Sequence, residues 1–142
     1  MPVELRLPAM HGREPVGQTG LMMSKVETLR CVIVDDNPGF LDAAANFLGH
    51  QGITVVGVAS TIAEALSCVA QVRPDVTVVD INLGRGDDCS AVCKRLSDRR
   101  IPFVFYTGDV RADILVKWPN APVLTKLADK ERVVEVVAGV LG

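Results

Sequence analysis

From residue 29 to the end of the chain, short apolar runs alternate with stretches in which apolar residues recur every three or four positions. Residues 29–34, "LRCVIV", are apolar and rich in β-branched side chains, and predict a first strand. Phe40, Leu41, Ala44, Phe47 and Leu48 then fall on one face of a helix over 39–50. Asn37 is placed to cap that helix, Pro38 fits its first position, and Gly52 is its stop signal. The same unit repeats four more times. "ITVVGVA", 53–59, predicts a strand, and Ser60, Thr61 and Glu64 read as a capping-box start to a helix over 61–72. "DVTVVD", 75–80, predicts a third strand, followed by a loop at Gly84 and Gly86 and a helix from Asp87 to Leu96. "PFVFYTG", 102–108, predicts a fourth strand, 110–117 is weakly helical, and "APVLTK", 121–126, predicts a short fifth strand. Val133, Val134, Val137, Val140 and Leu141 share one face of a last helix over 128–141. Residues 1–27 hold scattered Pro and Gly with no period, and predict a flexible N-terminal extension ahead of a single domain over 28–142.

Strands that alternate with helices imply a parallel sheet covered on both faces, and near-continuous apolar strands agree with burial on both sides. With right-handed crossovers, five such units predict an α/β, flavodoxin-like (βα)₅ three-layer sandwich with strand order 2-1-3-4-5. The stretch from Thr107 to Lys126 is short and contains Pro119, so the fourth helix is expected to be shortened or disordered.

Composition narrows the class. Apolar residues make up 49% of the 142 and aromatics only 4%, so the core is built from Val, Leu, Ile and Ala. The formal net charge of -2 offers no basic footprint for nucleic acid. No apolar run approaches membrane-spanning length, and the N-terminus lacks the apolar centre of a signal peptide. Four scattered cysteines, Cys31, Cys68, Cys89 and Cys93, then read as reduced thiols in a cytoplasmic protein. Cys89 and Cys93 are four apart on a helix, but with no His close by they read as ordinary helical thiols rather than a metal pair.

The candidate chemistry lies where strands end. In an open α/β sheet ligands bind beyond the carboxyl ends of the strands. Strand one ends in Asp35 and Asp36, strand three in Asp80, strand four in Thr107 and strand five in Lys126. Two like charges about 4 Å apart repel by roughly 4 kcal/mol at an effective dielectric near 20, so the acidic pair calls for water or a cation. Clustered carboxylates suit Mg²⁺, and an ammonium and a hydroxyl suit an anion. The set fits a phosphoryl group carried on a carboxylate, with Asp80 as the nucleophile. Taken singly, each residue has a plainer reading: Asp35 and Asp36 as helix-cap acids, Asp80 and Thr107 as turn residues, Lys126 as a solvated lysine. Their convergence favours the site. Phosphate-loop, dinucleotide and HExxH motifs are absent.

The motifs "VIVDD", "VTVVDINL", "FVFYTG" and "LTK", in this order, resemble the receiver domain of two-component response regulators from about Leu29 to Leu141. The resemblance implies that Asp80 accepts a phosphoryl group from a histidine kinase or phosphotransfer protein. It implies Mg²⁺ held by Asp36, Asp80 and the carbonyl of Asn82, with Asp35 acting through water, and Thr107 and Lys126 on the phosphoryl oxygens. It implies a non-enzyme, catalysing only its own phosphorylation and dephosphorylation, that acts through a partner protein or as a phosphate shuttle or sink. Asn82 and Asp109 flank the site at positions that tune hydrolysis in such domains. "PFVFYTGD" also resembles the single-domain "FAT GUY" receivers, with Tyr106 where that motif has alanine. A stand-alone receiver is the expectation.

Two departures bear on switching. Val123 stands where the family carries an aromatic, and Leu127 stands where it carries a proline, which removes the usual site for a cis peptide. They motivate the alternative of a degenerate receiver that signals by contact without phosphorylation. A Mg²⁺-dependent phosphatase is disfavoured, because strand one carries Asp-Asp rather than Asp-x-Asp. Trp118, before Pro119, either anchors a partner or covers the core; His11 and His50 read as surface residues.

Overall fold

A computed structural model describes residues 29–140; the N-terminal extension predicted over 1–27 and Leu141 lie outside the described residues. Five strands, β1 (Arg30–Val34), β2 (Thr54–Ala59), β3 (Val76–Val79), β4 (Phe103–Thr107) and β5 (Val123–Thr125), form one parallel sheet in the order β2-β1-β3-β4-β5. The helices are α1 (Pro38–His50), α2 (Ile62–Val72), α3 (Ser90–Asp98), α4 (Ala112–Leu115) and α5 (Lys130–Gly139). The flavodoxin-like topology is as expected from the alternation.

Alternate residues of the central strands feed two cores. Cys31, Ile33, Val78, Val104 and Tyr106 face α1 and α5, which contribute Leu41, Leu48, Val133 and Val137. Val32, Val34, Val79, Phe103 and Phe105 face α2, α3 and α4, which contribute Val69, Val92, Leu96 and Ile114. β1, β3 and β4 are buried on both faces. β2 and β5 are edge strands with exposed positions, so the expectation of doubly buried strands does not extend to them.

Local chemistry explains the helix starts. The Asn37 side chain accepts from Phe40 N–H at 3.0 Å with Pro38 at the first position, and Gly52 follows the helix at φ +89°. Thr61 accepts from Glu64 N–H at 3.1 Å, while Glu64 reaches back to Ser60 N–H at 2.9 Å.

The helix expected from Asp87 begins instead at Ser90. Asp87 belongs to a turn closed by its own N–H to Gly84 O at 2.8 Å and by Leu83 N–H to Asp87 O at 3.0 Å. Asp88 then accepts from Ser90 N–H at 2.8 Å, an Asx-type cap that competes with an earlier start. The last helix starts at Lys130 rather than 128. α4 is a single four-residue turn, short as expected from the Pro119 spacing.

Candidate functional site

Each strand delivers its terminal residue to the same edge. Asp35 and Asp80 are tied to the sheet by their own backbones: Asp35 N–H donates to Ala59 O at 3.0 Å and Asp80 N–H to Val34 O at 2.9 Å. Lys126 N–H donates to Thr107 O at 2.9 Å, which sets β5's end beside β4's. Asp35, Asp80 and Thr107 are buried, whereas Asp36 faces solvent.

The carboxylates of Asp35, Asp36 and Asp80 each offer an oxygen within 4.8 Å of the others. The Lys126 ammonium inserts between two of them, 2.7 Å from Asp35 Oδ2 and 3.0 Å from Asp80 Oδ2. The Phe40 ring lies beneath the same ammonium, 4.2 Å from nitrogen to ring centre. Burial pushes the Asp35 carboxyl above its usual range, against the pull of Lys126. Burial alone would lower the Lys126 pKa, but the two carboxylates outweigh it and hold the ammonium above its ordinary value.

The cluster is under-neutralised: three carboxylates face one ammonium. Asp35 Oδ1 accepts from Asn37 N–H at 2.9 Å, while the buried Oδ2 is held by the Lys126 ammonium at 2.7 Å. Close-set carboxylate oxygens that outnumber their one ammonium partner fit a hard divalent cation such as Mg²⁺. Gly84 makes room for them. At φ +80° it passes so close that a Cβ there would lie 2.9 Å from Asp36 Oδ2.

Thr107 joins the edge but does not point its hydroxyl at Asp80. Its Oγ1 accepts from Asp109 N–H at 3.2 Å and donates to Asp109 O at 3.3 Å. The Asn82 side chain faces the same loop, donating to Asp109 Oδ2 at 3.2 Å and accepting from Arg111 Nη1 at 3.1 Å. Arg111 also holds Asp113 at 2.7 Å and stands 3.8 Å from Asp88. A polar chain therefore runs from Thr107 through Asp109 and Asn82 to Arg111, joining the β3–α3 and β4–α4 loops.

Arg111, Phe40 and Gly84 are the site residues that strand-end reasoning did not single out. Phe40 showed only a helix-face signal and Gly84 a loop signal; Arg111 showed none. Trp118 lies at the opposite end of the sheet, packed edge-on against Phe103 with ring centres 6.3 Å apart, beside a groove of about 780 Å³. Cys31, Cys89 and Cys93 are buried thiols. His50 is exposed; His11 lies outside the described residues. No peptide bond among the described residues is cis. None of the described helices is long and apolar enough to cross a membrane.

A profile of the response regulator receiver domain matches residues 31–138. Among solved structures, the BeF3-activated conformation of SdrG from Pseudomonas melonis Fr1 is 32% identical with a TM-score of 0.67, covering 80% of this chain and 96% of that one. The anti-anti-sigma factor PhyR from Bartonella quintana is 25% identical with a TM-score of 0.71, covering 89% of this chain and 52% of PhyR. A curated relative, protein-glutamate methylesterase/protein-glutamine glutaminase 3 of Hahella chejuensis, is 34% identical over 77 residues. That match takes in 54% of this chain and 22% of the relative, so the chain spans about a fifth of the curated relative's length and about half of PhyR's. With its five-stranded sheet in the order 2-1-3-4-5 and its carboxyl-end acidic cluster, the chain belongs to the response regulator receiver domain family of two-component signalling.

Proposed function

We propose that this protein is a phosphorylatable receiver in which Asp80 takes a phosphoryl group from a histidine kinase or phosphotransfer protein. The observation that carries the reading is the placement of Lys126 on Asp80 Oδ2 at 3.0 Å inside an under-neutralised carboxylate cluster. Lys126 orients the acceptor carboxylate and leaves its second oxygen to attack. As the Oδ–P bond forms, the donor's N–P bond breaks and its imidazole leaves. Asp36, Asp80 and the Asn82 carbonyl would hold Mg²⁺, with Asp35 at one remove. Mg²⁺ there supplies charge neutralisation for the transferring oxygens.

Once charge accumulates on Asp80, Lys126 has a new oxygen to hold. Thr107 reaches that oxygen only by giving up its two contacts with Asp109, so the hydroxyl has two mutually exclusive positions. SdrG, which takes an activated conformation with BeF3, supports the reading by likeness. A fluoroberyllate on a carboxylate has the tetrahedral shape of a phosphoryl group. The protein is proposed to be cytoplasmic, and its output is proposed to be contact with a partner protein, or relay of the phosphoryl group, rather than turnover of a substrate.

Incubation with phosphoramidate and Mg²⁺ tests this. One phosphoryl group should appear on the wild type by intact-mass measurement, and none on Asp80→Asn. Equal labelling of both defeats the assignment of Asp80. No labelling of either, with no binding of millimolar Mg²⁺, points to a receiver that signals by contact alone, the reading that Val123 and Leu127 motivate.

A further inference from the structure

We propose that Phe40 is a positioning residue for Lys126 and couples the ammonium to Tyr106, so that a Lys126–Phe40–Tyr106 stack reports charge at Asp80 to the α1 side of the sheet. The functional part rests on the phosphorylation reading above; the coupling itself does not.

The β5 position where the family carries an aromatic is Val123, which is 38% exposed and has no ring to couple to Thr107. Aromatic side chains sit elsewhere. The Phe40 ring has the Lys126 ammonium 4.2 Å from its centre. It also meets Tyr106 edge to face, with ring centres 5.0 Å apart and planes at 64°. Tyr106 is buried, pairs with Leu124 of β5 and directly precedes Thr107. The three groups form one unbroken contact from the ion-pair cluster to the core between the sheet, α1 and α5.

Phe40 is held where a positioning residue has to be. Its N–H donates to Asn37 Oδ1 at 3.0 Å, and Asn37 N–H donates to Asp35 Oδ1 at 2.9 Å. The ring is thus anchored by backbone to the carboxylate turn whose counter-ion it supports. A ring face attracts a cation through its quadrupole, and the attraction falls as the cation moves off the face. When Lys126 turns to a new anionic oxygen on Asp80, the ring loses part of that attraction, and its edge contact with Tyr106 readjusts. Tyr106 also feels the Lys126 and Asp35 charges directly, so a Phe40 that merely filled core volume would add nothing to that response.

Tyr106 is the sole tyrosine of the chain, so uniform 3-fluorotyrosine labelling of the full-length protein yields a single ¹⁹F resonance. The experiment is a cycle of wild type, Lys126→Met, Phe40→Leu and the double variant in metal-free buffer. Removing the ammonium should displace the Tyr106 resonance clearly more when Phe40 is present than in the Phe40→Leu background, where only the direct effect of the charge remains. Equal displacement in both backgrounds overturns the proposal. Phe40→Met serves as the second apolar variant if Phe40→Leu does not fold.

The phosphoramidate concentration giving half-maximal labelling should rise about three- to tenfold in Phe40→Leu. It should return to the wild-type value in Phe40→Tyr, which keeps the ring face. An unchanged value in Phe40→Leu overturns the positioning role. If the wild type takes no label at all, the phosphorylation reading fails while the ¹⁹F cycle still decides the coupling.

Discussion

Lys126 Nζ and Asp35 Oδ2 lie 2.7 Å apart at the bottom of a cluster whose other close-set carboxylates are Asp36 and Asp80. Asp35 is raised above its usual range because burial penalises its charge. Its contribution to stability is therefore full below the unfolded value of about 3.9 and lost as pH rises through the raised folded value. Lys126, also raised, stabilises the fold through the neutral range and loses that contribution only as pH climbs through a folded value above about 10.4. Lys126→Met leaves two buried carboxylates facing each other. In EDTA near neutral pH it should cost about 3–5 kcal/mol by urea denaturation. The cost should shrink on acidification, as Asp35 takes up a proton. Mg²⁺ at ten times its dissociation constant should return about 1.4 kcal/mol. A cost that is flat across the carboxylate range would mean that the ammonium is not the counter-ion of these acids.

The four cysteines should differ in reactivity. Cys31 is fully buried and its thiol is pushed up to about 12 by burial. Cys93 is raised too, by its contact with Cys89 and then by burial, and Cys89 is itself buried. Cys68 alone is part-exposed, with a thiol raised by partial burial. Native protein treated with a disulfide reagent at about pH 8 should release one equivalent of thiolate, slowly, and Cys68→Ala should abolish it. Release of all four in the native state would mean that the core opens on the timescale of the reaction.

The strands and helices were legible because a doubly buried strand and a one-faced helix leave different periods in the chain. Asp35, Asp36, Asp80, Thr107 and Lys126 were legible as a group for a geometric reason: a parallel sheet brings all its carboxyl ends to one edge. Strand-end position does not say which side chain lies on which. The Phe40 ring beneath Lys126 and the Arg111 guanidinium on Asn82 depend on the paths of the α1 entry and the β4–α4 loop. The expected start of α3 at Asp87 differs from the observed start at Ser90 because Asp87 and Asp88 suit a helix's first turn as well as they suit the tight turn they occupy.

Gly84 separates backbone strain from site geometry. It and Gly86 have nearly the same conformation, φ +80° and +79°, but a Cβ on Gly84 would meet Asp36 whereas one on Gly86 meets nothing within 4 Å. Gly84→Ala and Gly86→Ala should therefore lose similar stability, about 1–2 kcal/mol, from the left-handed backbone. Only Gly84→Ala should weaken Mg²⁺ binding, by about tenfold in titration calorimetry, because it displaces a carboxylate of the cluster. Equal affinity in the two variants would remove Asp36 from the metal's ligands.

Arg111 ties Asn82 to the β4–α4 loop from a half-buried position at the rim of the site. Surface ion pairs contribute little, so Arg111→Ala should leave the urea midpoint almost unchanged. Its effect should appear in the lifetime of the phosphoryl group. Without the guanidinium, Asn82 loses the donor to its side-chain carbonyl, and its bond to Asp109 is left to fix the loop alone. Water then gains access to Asp80, and dephosphorylation should quicken about two- to tenfold, the range set by one net hydrogen bond. Arg111→Lys should behave like Arg111→Ala, because one ammonium cannot span Asp113 and Asn82 as the forked guanidinium does. Asp113→Ala, which leaves the Arg111–Asn82 bond in place, should keep the wild-type lifetime. If Asp113→Ala shortens the lifetime as much as Arg111→Ala, the control lies in the net charge of the rim and not in the hold on Asn82.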